Sequence, residues 1–572
     1  MPFSLSILLT HNDSGFVHHG FLFIFIAILY SFLVQLGGTF YSFQWDSLLL
    51  ETGWLVSMCY APWKHLTSTV TAAKDNNDSN TMAISNEVGA LPIRFLLFKL
   101  MFMSGVVKIQ ANCPTWNNLT ALEYHFATQC LPGPFAWYAH QLHPFLLRLS
   151  VAMTFLIEIQ GAGLLIFWGG SLRRIGAWMQ ILLQVMIILS GNYNFFNVLT
   201  ILLCLPCLEG NLSGTSVASD GIRKRNFSRN YMDVSISLAY FAWSFATMFD
   251  IQKVQVGIET QITIVLSWTK SFCEVVIEYC VPAVIALVYI QLGYNFISMR
   301  KKRISALFHV AACAACLGIS SVPFLNLSPG VGWSTWTMLP TRCFVEPWRV
   351  VQPYHFSNGY GLFRQMTGVG SHGLHNERFG WGGLPPSMVE RPEIVLEGQL
   401  SSGEFRELKF RWKPGNVTKQ PRQVAPHQPR LDWQMWFAAL GNHQNNPWFV
   451  HLVSKLLHGC TPVIDLLDEP MLASGEEQLL TVRSILYMYD FTRINTEMYQ
   501  NDIVNQDWWI RSPSHEFLPA LEVANPSLVA FLSSHRFLDD MCVNDEDKCK
   551  FLSKNGSKFH YFCPIIKVFR HK

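Results

Sequence analysis

The 572 residues carry 42 Lys and Arg against 39 Asp and Glu, a formal charge of +3, and half of them are hydrophobic while only 14% are charged. That charged share is about half the value usual for a soluble domain, so the composition points to a membrane protein with room for two or more domains. The small net charge, and the lack of any basic stripe interleaved with aromatics, exclude a nucleic-acid-binding protein.

Apolar stretches follow one another at 20–37, 43–60, 91–110, 145–168, 175–190, 193–208, 233–250, 263–297 and 304–323. Several fall short of the roughly 20 residues that cross a bilayer, so the pattern predicts five to nine spans within residues 1–330. The first stretch has no basic flank and no small-residue cleavage site, which favours an uncleaved span over a signal peptide. Basic clusters at Arg173 with Arg174, at 223–225 and at 300–303 mark cytosolic span ends. A nine-span count places all three on one side. It sets the N-terminus in the cytosol, and the loop 111–143 and everything beyond about residue 325 in the lumen.

Eight Asn-x-Ser/Thr sequons occur; this topology makes Asn118, Asn416 and Asn555 usable and leaves Asn12, Asn77, Asn211 and Asn226 silent. Of fourteen cysteines, Cys113 and Cys130 bracket the first lumenal loop, where a bridge would contribute roughly 3 kcal/mol. Cys343, Cys460, Cys542, Cys549 and Cys563 also fall on the lumenal side, an odd number that leaves at least one thiol over. The Cys204/Cys207 and Cys313/Cys316 spacings lie in apolar segments without the strand-to-helix setting of a redox site, so they read as small apolar packing.

Glu51, Lys99, Lys108 and Glu158 stand inside apolar segments. Ionisable residues there face a polar cavity or each other. One reading makes an intramembrane enzyme cavity with the aromatic loop beside it as a lid. The other pairs helices, Glu51 with Lys99 for instance, and is favoured because no complete acid, base and cofactor set appears.

After residue 340 the texture changes. Segments 393–400 and 405–413 read as strands joined by a Ser-Ser-Gly turn, and helices are expected at 432–440, 447–459 and 478–488. The fold class expected is therefore a membrane α-helical bundle followed by a lumenal α+β domain, 340–535, with a small β-sandwich; a Cys-containing tail, 536–572, has no assignable fold. The phrase APHQPRLDWQMWFAAL, 425–440, stands out: Pro426 and Pro429 hold its entry extended, Asp432 caps a helix, and Trp433, Trp436, Phe437 and Leu440 share one helix face. Trp and Arg are common interface anchors, which makes His427, Gln428, Arg430, Asp432, Trp433, Trp436 and Phe437 candidate partner-binding residues, with Trp508, Trp509 and Arg511 as a second patch. The competing reading closes the domain's own core with that face and pairs Arg430 with Asp432. No Gly-x-Ser-x-Gly elbow, His-Glu-x-x-His pair or phosphate loop is present, and His372 with His375 reads as a solvated loop, so neither catalytic nor metal residues nor a cofactor are assigned.

The same chain resembles the lipase maturation factor family over about residues 45–520. The similarity is carried by RFLLFKLMFMSGVVKI (94–109), CPTWNNLTALEYHFATQCLPGPFAWYAHQL (113–142), NGYGLFRQMT (358–367), RPEIVLEG (391–398), FRWKPG (410–415) and the 425–440 phrase. Two departures are a Gly-, His- and Pro-containing insertion between Thr367 and Arg391 and the turn at 397–403. The resemblance implies an endoplasmic-reticulum membrane protein that helps secreted homodimeric lipases, of the lipoprotein-lipase type, to fold and assemble. Immature lipases and membrane lipids are then its partners. The hydrophobic pattern also resembles the carboxylase-like membrane bundles, which keeps an intramembrane enzyme, or a related factor with other clients, as the alternative.

Overall fold

The computed structural model describes residues 17–60, 76–166, 170–208, 220–256, 259–298, 304–327, 343–367, 389, 391–400, 403–494, 507–535 and 537. Residues 368–388 and 390 of the insertion, with His372 and His375, and the tail with Asn555, Cys542, Cys549 and Cys563 lie outside them. Two compact units emerge. The first holds the described residues up to 389 together with 420–430 and 493–494; the second holds 391–419, 431–492 and those from 507 onward.

The first unit is helical. Its elements are α1 (Val17–Gly37), α2 (Gln44–Leu55), α3 (Asn76–Gln110), α4 (Pro114–Asn117), α5 (Ala121–Thr128), α6 (Ala136–His140), α7 (Pro144–Phe155), α8 (Gly170–Ser190), α9 (Phe196–Leu208), α10 (Asp220–Met248), α11 (Lys270–Ser298), α12 (Ile304–Ser321) and α13 (Val345–Val351). Among the described residues six helical segments are long and apolar enough to cross a membrane, Leu22–Tyr41, Glu87–Gln110, Pro144–Leu164, Ser171–Ser190, Lys270–Ser298 and Ala306–Leu327, with Phe196–Leu208 a shorter apolar helix. This is a multi-pass membrane protein, and the count lies inside the expected range. One expected span is corrected: 263–297 is not continuous, because an antiparallel hairpin, β1 (Phe249–Val256) with β2 (Glu259–Leu266), precedes α11.

Residues 88–109 are buried at every position, which makes α3 the axis of the bundle. Two helices beside it are locally wound as π-helix, Val56–Tyr60 after α2 and Leu156–Gly161 after α7. Each such bulge inserts a residue into the helical ladder and re-aims the side chains around it. Gly105 permits the second: a Cβ there would come within 2.6 Å of Ile159 Cγ1 and 3.0 Å of Glu158 Cβ.

The second unit is α+β. A four-stranded antiparallel sheet runs in the order β4 (Phe405–Glu407), β3 (Arg391–Leu400), β5 (Leu479–Phe491), β6 (Trp509–Glu522), with helices α14 (Arg430–Ala439), α15 (Pro447–Leu457) and α16 (Pro526–Ser534). Among the described residues of this unit there is one sheet, so the expected sandwich is replaced by a sheet with helices. Segment 478–488, expected as a helix, is strand β5, and the second expected strand is shortened to three residues.

Candidate functional site

Burying an ion pair is costly unless geometry and hydrogen bonds satisfy both charges. Two such pairs flank α3. Lys99 Nζ lies 2.5 Å from Glu51 Oε1, both fully buried, and Lys108 Nζ lies 2.6 Å from Glu158 Oε2. Nine residues separate the lysines, so a helix of 3.6 residues per turn presents them on opposite faces. The helix-pairing reading of these four residues is the one the structure has.

Glu51 is a hub. Its Oε1 also accepts from Ser320 at 3.1 Å; Oε2 accepts from the Asn358 backbone at 3.0 Å and from Tyr360 Oη at 2.6 Å. Lys99 completes its shell with Ser320 at 3.0 Å and Ser357 at 3.2 Å. Every partner beyond Lys99 comes from α12 or from residues 357–360, far away in sequence.

Lys108 bonds the Ser104 carbonyl at 3.0 Å and stands 5.3 Å from the Trp116 ring centre. Around it a polar chain runs outward: Tyr193 donates to Gln129 Oε1 at 2.8 Å, so its phenol oxygen accepts from His125 Nε2 at 3.0 Å. That fixes the imidazole as the Nε2–H tautomer. Burial, and then the Lys108 ammonium, push the His125 pKa down to about 4, so the ring is neutral at physiological pH. Phe363 closes the chain, edge-on to His125 at 5.0 Å and to Tyr193 at 5.3 Å, while its carbonyl accepts from Trp116 Nε1 at 2.9 Å.

Backbone strain is concentrated here. Among the described residues the non-glycine positions with left-handed backbone are Asn112, Leu119, Asn194, His355 and Phe363, with φ between 51° and 58°. Each belongs to the loop after α3, the turn after α8, or the segment bearing Phe363. Such conformations cost of order 1–3 kcal/mol for a residue other than Gly and persist where the surroundings over-determine them, often at binding or switch regions.

The 425–440 phrase is divided between the units after Arg430. Arg430 does not pair with Asp432: its guanidinium bonds both Asp46 oxygens, at 2.9 and 2.8 Å, and the Phe40 carbonyl at 2.6 Å, and stacks 3.5 Å above the Tyr41 ring centre. Asn192 holds the preceding stretch, with its Oδ1 accepting from the backbone N–H of Val424 at 2.7 Å and Ala425 at 3.0 Å. His427 is exposed and Gln428 partly buried.

In the second unit α14 starts at Arg430, so Asp432 sits in its first turn and not at the cap. Its Oδ1 accepts instead from the backbone N–H of Trp412 at 3.0 Å and Lys413 at 2.9 Å. Burial raises its pKa, and those two N–H groups partly oppose the rise. Trp433 and Trp436 are 3% and 5% exposed, which corrects the docking reading of both; Phe437, at 41%, is the one ring of the three presented outward. In the second patch only Trp509 is buried; Trp508 is partly buried, its backbone N–H bonding the Val417 carbonyl at 2.9 Å, and Arg511 is exposed while held by Glu407 at 3.0 Å and Tyr489 at 2.9 Å.

The expected Cys113–Cys130 bridge is not formed. Both residues are buried, and Cys113 Sγ stands 3.3 Å from Thr115 Oγ1. Cys460 is disulfide-bonded, and Cys343 is an exposed thiol. Asn118 and Asn416 are exposed, as a sequon must be. Among the described residues no group of three His, Cys, Asp or Glu could hold a metal ion. Sequence reasoning missed Trp116, His125, Gln129, Tyr193, Ser320, Asn358, Tyr360 and Phe363. Most stand in the phrases that carry the family resemblance, but a phrase does not disclose which of its residues meet.

A polytopic bundle with two buried ion pairs on its axial helix, joined in sequence to an α+β unit, defines a multi-pass membrane protein with an appended α+β domain. Family models described as "Lipase maturation factor transmembrane domain" and "Lipase maturation factor C-terminal domain" match residues 3–214 and 380–519. The chain is 34% identical to Lipase maturation factor 2 of Gallus gallus over 556 residues, covering 91% of this chain and 70% of that one. It is 34% identical to Lipase maturation factor 2 of Homo sapiens (90% and 71%) and 25% identical to Lipase maturation factor 1 of Mus musculus (86% and 69%). The chain belongs to the lipase maturation factor family. No solved structure matches it.

Proposed function

We propose that the chain is a folding factor of the endoplasmic-reticulum membrane, with its N-terminus cytosolic and its α+β unit lumenal, that assists immature homodimeric lipases to reach their active form. The observation that carries this reading is the likeness, over 91% of the chain, to a protein named for lipase maturation. The buried pairs support a scaffolding role for the bundle, since Glu51, Lys99, Lys108 and Glu158 spend their charges on one another. With Trp433 and Trp436 in the core, client contact falls to other surfaces, Phe437 and His427 among the residues first considered.

The test is rescue. The chain is expressed with a dimeric secreted lipase in cells lacking their own maturation factors, and secreted activity and co-purification are both measured. Restored activity with co-purification is the expected result. Loss of both, in a protein that is glycosylated and membrane-embedded, would transfer the role to other clients.

A further inference from the structure

Residues 357–366 adopt neither helix nor strand, with turns and bends at 362–365, yet the bundle grips them at several points. The Asn358 N–H and Tyr360 hydroxyl go to Glu51, the Gly361 N–H to Gln44 Oε1 at 3.1 Å, and the Phe363 carbonyl to Trp116. The Thr128 hydroxyl lies 3.8 Å from Met366 Sδ. Gly361 is needed for close approach, since a Cβ there would stand 3.1 Å from Val107 Cγ2.

This is how a groove treats a peptide. Backbone donors and acceptors are met by side chains of the receptor, and one aromatic ring, carried on the turn at 362–365, enters an aromatic box. Phe363, the residue that fills the box, is itself left-handed, as is His355 at the entry. A separate peptide entering the same box has no connection to α13 to satisfy and need not adopt either conformation.

We propose that the cradle of Gln44, Glu51, Trp116, His125 and Tyr193 is a peptide-binding site, occupied at rest by the chain's own residues 357–366. It accepts in trans an apolar segment bearing an aromatic side chain, the chemistry an incompletely folded protein exposes. The inference is independent of which client the protein serves.

The test uses the purified full chain in lipid nanodiscs and a fluorescent peptide copying residues 357–367. In the double variant Val107→Cys with Gly361→Cys, the two Cβ positions lie 3.6 Å apart, within disulfide range, so oxidation locks the strap in place. The reduced form should bind the peptide and the oxidised form should not. Tyr360→Phe, which removes one hydroxyl from Glu51, should bind about tenfold more tightly than the native chain. A peptide with aspartate in place of its phenylalanine should not bind. Equal binding by the oxidised and reduced forms overturns the proposal, as does failure of the cross-link to form in a folded protein. If the double variant does not fold, the comparison of Tyr360→Phe with the native chain decides alone, and equal or absent binding there refutes the site.

Discussion

Asp432 and Glu51 solve one problem in different ways. Each is a buried carboxylate, but Glu51 is neutralised by a lysine and Asp432 by two backbone N–H donors reaching it from Trp412 and Lys413. Asp432 therefore fastens the loop after β4 to the first turn of α14. Asp432→Ala strands both donors, and the expected loss is about 2–3 kcal/mol, read as a lowered thermal midpoint of the second unit. A midpoint within a degree of the native value would show that the loop is held elsewhere. At this scale the sequence announces the unusual residue but seldom its partner. Glu51 with Lys99 was legible because charges inside apolar runs have few companions. Trp433 and Trp436 were legible as a helix face; periodicity defines a face without saying whether it turns inward, and here it does.

Among elements, β5 shows why a strand can pass for a helix. Leu479, Val482, Leu486 and Tyr489 are all buried and fall at spacings of three and four, which matches an amphipathic helix as well as it matches a sheet. The tie is broken by β3, with which β5 pairs from Arg391 to Leu400, a partner that no local pattern contains. The edge strand β6 carries a further lesson. It is 14 residues long and mostly exposed, a template for unwanted strand pairing, yet its register against β5 shifts three times and it holds Pro513 and Pro519. Bulges and prolines blunt an edge. Replacing both prolines with threonine should leave the fold intact and produce concentration-dependent self-association in light scattering. An unchanged mass across the concentration range would mean that the bulges alone protect the edge.

For the molecule as a whole, the topology proposed from basic clusters makes a sharp demand: Asn118, in the bundle's loop, and Asn416, in the second unit, must face the same compartment. Both are exposed, and Asn416 Oδ1 accepts from the Thr418 N–H at 3.0 Å and hydroxyl at 2.9 Å, which leaves its amide nitrogen outside those bonds. Asn118→Gln and Asn416→Gln should each remove one glycan, seen as one step of endoglycosidase-sensitive mobility. A native chain that carries a glycan at one position alone would rule out the shared side. The bundle and the α+β unit were readable from composition, since charge density changes near residue 340. The strap was not, because its meaning lies in what it touches.

The axial helix also imposes an order on how this protein can be made. On insertion scales a lysine at the centre of a span costs roughly 2.5–3.5 kcal/mol, and α3 brings Lys99 and Lys108 into a segment that ends up wholly buried. One counter-charge, Glu51, has already left the ribosome when α3 emerges. The other, Glu158, lies 50 residues downstream of Lys108. Until α7 arrives, the Lys108 end of α3 must wait in the translocation channel or at the lipid headgroups, half-compensated. Ser320, Asn358 and Tyr360 follow later still, so Glu51 receives its last ligands only after α12 has been synthesised. Biogenesis of this bundle is therefore a delayed closure around one helix and not a procession of independently inserted spans.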